Sequence, residues 1–252
     1  VLEGLNSLEE DSAKEQARLQ DDASPLELET SIEARELTFR YKSSSERVLD
    51  GISFSIGRGE LIGFVGSSGA GKSTLVNILL GLLEAEGGEL LVDQQPIDPQ
   101  DARWQKMFGY IAQDTYLCDD TIRRNIAFGI EESKIDDDAI WKALKLARLD
   151  DFVRSLPEGL DTMVGEKGTR LSGGQHQRAG IARALYHEPD IIIMDEATSN
   201  LDNITEREIA DAIEALGGDK TVIIIAHRLT TIRNCDRIYY LKAGKVDAEG
   251  DF

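Results

Sequence analysis

Over residues 32–41 and again over 52–56, apolar side chains fall near alternate positions, with a polar stretch at 42–47 between them. A period of two marks strands with one covered face, so these runs predict an antiparallel β layer. Residues 61–65, Leu-Ile-Gly-Phe-Val, are apolar without alternation, as a strand covered on both faces is, and glycine and serine end the run. From Lys72 the spacing turns helical through Leu75, Ile78, Leu79 and Leu82, until Glu86-Gly87-Gly88 stops it. Residues 135–156 and 172–187 carry Ala, Leu, Arg and Lys at helical spacing. Residues 190–194 and 221–226 read as two more fully covered strands, separated by an amphipathic helix at 204–216. Strands alternating with helices predict the α/β class with a mainly parallel sheet, and the α-rich middle predicts a helical insertion over about 116–187. Residues 1–29, rich in Glu, Asp, Gln and Ala and closed by Ser24-Pro25, read as a linker leading into one domain at 30–252.

Composition narrows the possible partners. With 41% hydrophobic and 30% charged residues the chain can bury a sizeable core. Its 47 acidic against 28 basic residues give a net charge of −19, which repels a nucleic-acid backbone over most of the surface. Any phosphate it holds must therefore sit in a local site. The longest apolar runs fall far short of the roughly 20 residues that cross a bilayer. Cys118 and Cys235 form no motif with each other and fit a reducing compartment.

Such a local site is visible at Gly66-Ser67-Ser68-Gly69-Ala70-Gly71-Lys72-Ser73, which fits G-x-x-x-x-G-K-[ST] between a predicted strand and a predicted helix. Glycines let successive backbone N–H groups turn inward around an oxyanion, and the following helix adds its positive end. Lys72 can reach the β- and γ-phosphates, and the Ser73 hydroxyl, followed by Thr74, is placed to ligate Mg²⁺. Further along, the strand at 191–194 runs into Asp195 and Glu196. The first carboxylate can hold Mg²⁺ and the second can accept a proton from an attacking water.

One phosphate loop and one acidic strand end leave kinases, GTPases and many ATPases open. The segment Leu171-Ser172-Gly173-Gly174-Gln175 is more selective, since a serine and two glycines opening a helix make a second anion-binding terminus. Together with Gln113 in Ile111-Ala112-Gln113-Asp114, Ser199-Asn200-Leu201-Asp202, and His227 in Ala226-His227-Arg228, these motifs follow one another as in ABC nucleotide-binding domains. The chain resembles that family over about residues 30–250. The resemblance implies a P-loop NTPase core with a mainly parallel sheet, an antiparallel β layer and a helical insertion subdomain. It further implies that Tyr41 stacks on adenine, that Gln113 ligates Mg²⁺, and that His227 contacts the γ-phosphate. Two cassettes of the family pack head to tail, each ATP lying between the phosphate loop of one and the LSGGQ of the other, so the resemblance implies a homodimer with ATP and Mg²⁺ as ligands. Asn200, where the family usually has a small residue, and His176, where Arg or Gln is commoner, depart from the pattern.

Residues 162–168, Thr-Met-Val-Gly-Glu-Lys-Gly, and 121–126, Thr-Ile-Arg-Arg-Asn-Ile, are similar to exporter cassettes, whose transmembrane helices precede them in the same chain. That similarity implies a transmembrane partner domain upstream, residues 1–29 as its trailing linker, and a place on the cytoplasmic face of a membrane. Segments 116–121 and 201–203 resemble lipid-linked oligosaccharide flippases, with drug, lipid and peptide exporters still open. The competing class is a soluble ABC ATPase of DNA repair or translation. Chromosome-type members insert a long coiled coil between the phosphate loop and LSGGQ, and no heptad run occupies that interval here.

Overall fold

The computed structural model describes residues 26–195, 220–226 and 232–252. The sequence readings at 1–25, Glu196, 199–202, the helix at 204–216 and His227 lie outside the described residues. The two alternating runs form β1 (Ser31–Phe39) and β2 (Leu49–Gly57), paired antiparallel. The chain then crosses to a second sheet as β3 (Leu61–Gly66) and enters helix α1 (Lys72–Leu79). It returns to the first layer as β4 (Gly87–Val92) and β5 (Gln95–Ile97), which complete an antiparallel sheet of order β2-β1-β4-β5.

Short helix α2 (Ala102–Lys106) leads to β6 (Phe108–Ile111), and an α-rich stretch follows: α3 (Ile122–Ile126), α4 (Asp137–Leu146), α5 (Asp150–Ser155) and α6 (Gly173–Leu185). Strands β7 (Ile191–Asp195), β8 (Thr221–Ala226), β9 (Arg237–Lys242) and β10 (Lys245–Gly250) finish the second sheet, of order β10-β9-β3-β8-β7-β6. Every neighbour pair in it is parallel except β9 with β10.

Because strand side chains alternate between faces, the unbroken apolar runs of β7 and β8 serve two cores at once. Ile191, Ile193, Ile223 and Ile225 join Ile62, Phe64 and the buried face of α1 against the first sheet. Ile192, Met194, Val222, Ile224 and Ala226 join Ile140, Leu144, Ala179 and Ile181 of the helical segment. The two sheets are tied by an aromatic seam in which Phe64 lies 5.1 Å from Phe54 and 5.3 Å from Tyr239, ring centre to ring centre. The Tyr239 hydroxyl donates to the Ser55 carbonyl at 2.7 Å, so the buried phenol keeps a partner.

Two sequence expectations change. The helical spacing at 135–156 is two helices, because Arg148 takes a left-handed φ of 55° and breaks the backbone ladder before Asp150 and Asp151 open the next turn. The helix that starts at Lys72 ends at Leu79 rather than running to Leu82, since Gly81 (φ 70°) turns the chain tightly against the Pro99 carbonyl.

The start of the described chain is pinned by one carboxylate. Asp93, in the β4–β5 turn, accepts hydrogen bonds from the backbone N–H groups of Glu29, Thr30 and Ser31 and from the Thr30 hydroxyl. Partial burial works to raise its pKa, but the Thr30 side chain and the three backbone donors outweigh that and hold it at about 2. A carboxylate with a depressed folded-state pKa contributes stability above its ordinary value of 3.8, which is lost as the pH falls toward 2. Asp93→Asn is therefore expected to lower unfolding free energy at pH 7 by about 1–2 kcal/mol, and the gap should narrow at pH 3. Urea unfolding of both proteins at the two pH values checks this; a pH-independent gap would remove the ionic origin.

Candidate functional site

Parallel pairing brings four strand ends to one edge of the second sheet. Val65 lies opposite Ala226, Asp195 opposite Ile225, and Ile111 opposite Met194. The carboxyl edge of such a sheet is where open α/β folds place their ligands. From β3 comes the loop 66–73, and β7 ends on Asp195. Gln113 is exposed two residues beyond β6. Glu196 and His227 follow β7 and β8 in sequence and lie outside the described residues.

Backbone closes tightly behind the loop. Gly71 opens α1 with φ 105° and gives it no side-chain cap, and a Cβ there would meet Leu49 Cδ2 at 2.6 Å and the Val48 carbonyl at 3.0 Å. A helix start without a side-chain cap is where backbone N–H donors are offered to another acceptor. Gly66 abuts the Leu241 carbonyl too closely for any side chain, and Gly244 N–H in the β9–β10 turn donates to the Ala70 carbonyl at 3.3 Å. Toward solvent the loop is open: Ser67, Ser68 and Gly69 are exposed, and a Cβ on Gly69 would meet nothing within 4 Å. Lys72 is 95% buried, its exposure only 5%, and its Nζ donates to the Gly66 and Ser67 carbonyls at 2.9 and 3.2 Å, which hangs the ammonium over the loop.

Other predicted residues gather around the loop. Ser73 is exposed in the first turn of α1, and buried Thr74 shares a hydrogen bond of 3.1 Å with the Tyr41 hydroxyl. The Tyr41 ring meets Phe39 edge-on at 4.9 Å, so an exposed aromatic face is held beside the phosphate helix. Asp195 has the parity of Ile191 and Ile193 and so stands on the α1 face of the sheet.

Tyr110 was not foreseen from the sequence. Its hydroxyl donates to Asp195 Oδ2 at 3.3 Å from the neighbouring strand. Burial first, then the charge and hydrogen bond of Asp195, push the phenol up to about 12, so it stays a donor at neutral pH. The only sequence cue is that Tyr110 shares a strand face with Phe108, and it points to Asp195 only once β6 is known to pair with β7.

The LSGGQ segment stands elsewhere. Ser172 caps α6 in a reciprocal box: its Oγ accepts from Gln175 N–H at 3.3 Å, and Gln175 Oε1 accepts from Ser172 N–H at 2.9 Å. Gly173 is exposed with nothing near its Cα face, and Gly174 follows it in the first turn. His176 fills the space above Gly168 and bonds the Lys167 backbone, while burial lowers its pKa. Helix α6 packs into the core on the side of the sheet opposite α1.

The far end of α6 is clamped by Arg183, which donates to the Tyr116 carbonyl at 2.7 Å, the Asn125 carbonyl at 2.8 Å and Asn125 Oδ1 at 3.1 Å. Asn125, 1% exposed, also bonds Cys118 N–H and the carbonyls of Cys118 and Thr121. The stretch just after Gln113 is thereby tied to the LSGGQ helix. An isolated pairing of Thr121 with Met163 adds residues 162–164 to the same cluster.

Comparison with known proteins places these features in a wider group. Residues 49–199 match the family described as ABC transporter. A relative named ATP-dependent lipid A-core flippase, from Cupriavidus metallidurans, is 43% identical over 84% of this chain and 36% of its own length. One named multidrug resistance ABC transporter ATP-binding and permease protein, from Lactococcus lactis, is 39% identical over 89% of this chain and 38% of its own. A structure of a bacterial Atm1-family ABC exporter with ATP bound superposes with a TM-score of 0.82 at 37% identity, covering 92% of this chain and 40% of that one. The chain thus spans little more than a third of the length of the relatives it matches.

The Asn125 cluster yields a direct test. Asn125→Ala removes the partner of the Cys118 N–H, the donor to the Cys118 and Thr121 carbonyls and one of the three hydrogen bonds of Arg183, so a loss of about 2–3 kcal/mol is expected in chemical unfolding. A loss below 0.5 kcal/mol, within the range of ordinary surface substitutions, would show that the cluster contributes no stability.

Proposed function

The chain belongs to the ABC transporter family, and on that premise we propose that it is the ATP-binding and ATP-hydrolysing motor of an exporter. The observation that carries the reading is an open phosphate loop with buried Lys72 and the Asp195 carboxylate at one edge of the second sheet, with the exposed ring of Tyr41 held from the first sheet beside the helix that follows the loop. In this reading the backbone of residues 66–71 and the start of α1 bind the phosphates, Lys72 leaves its loop carbonyls for the β- and γ-phosphates, and Tyr41 stacks on the base. Ser73, Gln113 and Asp195 offer hydroxyl, amide and carboxylate oxygens, the donor set a hard divalent cation takes. When bound there, Mg²⁺ supplies charge neutralisation at the phosphate oxygens. Glu196 accepts the proton of the attacking water, and His227 orients that water against the γ-phosphate.

The opposed positions of α1 and α6 support a head-to-tail pair in which Ser172, Gly173, Gly174 and Gln175 of one copy complete the site of the other. ATP is then shared across the interface, and its hydrolysis releases the copies. The relatives' greater length supports a transmembrane domain as the second partner, with this part on the cytoplasmic face of the membrane. The soluble ABC ATPase reading is not favoured, since the similar proteins are flippases and multidrug exporters.

Glu196→Gln keeps side-chain volume but cannot accept a proton, so binding and chemistry should separate. Turnover is expected to fall by about 10²- to 10⁴-fold while ATP affinity holds, and the variant should accumulate as a dimer in Mg-ATP. Size-exclusion chromatography beside the parent chain and Lys72→Ala reads this out. A monomer at saturating ATP, or near-parental turnover, would overturn the assignment.

A further inference from the structure

A carboxylate at a strand end turns about two torsions, and its usefulness to a cation depends on what stops it turning. Tyr110 supplies such a stop in this chain. It lies opposite Ile193 in the parallel register of β6 and β7, so Asp195 is one pleat further along the same face. From there its hydroxyl reaches Asp195 Oδ2 at 3.3 Å.

The strand presenting that hydroxyl has no slack. Gly109, the preceding residue, lies so close to α6 that a Cβ would come within 2.6 Å of the Ala184 carbonyl and 2.7 Å of Pro189 Cγ. Ile111, the following residue, is buried on that same side. On the other side Trp104, fully buried, meets Phe108 edge-on at 4.7 Å and donates from Nε1 to the Leu79 carbonyl at 2.7 Å. Leu79 ends the helix that Lys72 and Ser73 begin. The phosphate helix and the strand carrying Tyr110 are therefore held as one piece.

We propose that Tyr110 is a positioning residue for the metal-holding carboxylate, its hydroxyl fixing Asp195 in the orientation that receives a divalent cation beside Ser73. The inference rests on the proposed role of Asp195 and adds the group that sets its geometry. Tyr110 touches the carboxylate and not the cation, so its removal changes how well the cation is held, not the chemistry once the cation is present.

Tyr110→Phe tests this, because it deletes the hydroxyl and keeps the ring. Mn²⁺ is the probe: electron paramagnetic resonance of free Mn²⁺, titrated into the full chain with a non-hydrolysable ATP analogue and compared with the analogue alone, measures metal affinity without turnover. The expected result is a loss of about 10-fold in Mn²⁺ affinity, within the range seen when a group supporting a metal ligand is removed. The Mg²⁺ concentration giving half-maximal ATPase should rise by the same factor, with unchanged turnover at saturating Mg²⁺, unchanged nucleotide affinity in EDTA and an unchanged melting temperature. Melting temperature or EDTA affinity falling together with metal affinity would indicate a merely structural tyrosine and overturn the proposal. An unchanged Mn²⁺ curve in Tyr110→Phe, while Asp195→Asn loses Mn²⁺, sinks the proposal and leaves the role of Asp195 standing. If Asp195→Asn also binds Mn²⁺ normally, the role of Asp195 falls and Tyr110 falls with it.

Discussion

An oxyanion can be gripped by backbone N–H groups only where the chain curls without side chains in the way, and something behind the curl must stop it from opening. Here the stop is a junction of three backbone segments: the loop 66–71, the start of β2 at Val48 and Leu49, and the β9–β10 turn at Gly244. Gly66 rests on Leu241, Gly71 on Val48 and Leu49, and Gly244 on Val48, each without space for a methyl group. The first antiparallel sheet is thus more than a lid on the core, because its second strand supplies one wall of the phosphate loop. Asp50 N–H completes the junction by donating to the Gly244 carbonyl at 2.8 Å.

The second constraint is the two-faced parallel sheet. Its central strands have no solvent side, so packing on each face is settled by alternate residues of the same short runs. That arrangement puts α1 and α6 on opposite sides while bringing the strand ends that matter to one edge. A site assembled from strand ends inherits the rigidity of the sheet. The α-rich segment instead carries a polar hub at Asn125 and Arg183, which transmits position through hydrogen bonds rather than side-chain volume.

What the sequence made legible follows the range of the forces concerned. The apolar runs at 61–65, 191–194 and 221–226, the phosphate loop and the start of the LSGGQ helix are local patterns, and each stands where the pattern placed it. Strands β4 and β5 were missed because their hydrophobic positions, such as Leu90 and Val92, sit in a stretch that also reads as a stop to the preceding helix. The kink at Arg148 was missed because a single left-handed residue leaves the apolar spacing almost intact. Tyr110 with Asp195, Arg183 with Asn125 and Asp93 with Thr30 pair residues 58 to 85 positions apart. Such contacts are created by the tertiary fold, and no window along the chain contains both partners.

The capping box at Ser172 and Gln175 carries a consequence for any anion that approaches it. At the start of α1 no side chain caps the helix, so an arriving phosphate would displace no capping side chain. At α6 the Ser172 hydroxyl already accepts from the Gln175 N–H, and the Gln175 amide oxygen from the Ser172 N–H. A phosphate that takes those two donors exchanges one set of hydrogen bonds for another, so its gain from them is a small difference between comparable contacts. An anion at α1 would therefore displace no cap, whereas one that draws on the capped N–H groups of α6 must first break the box, which re-forms when the anion leaves.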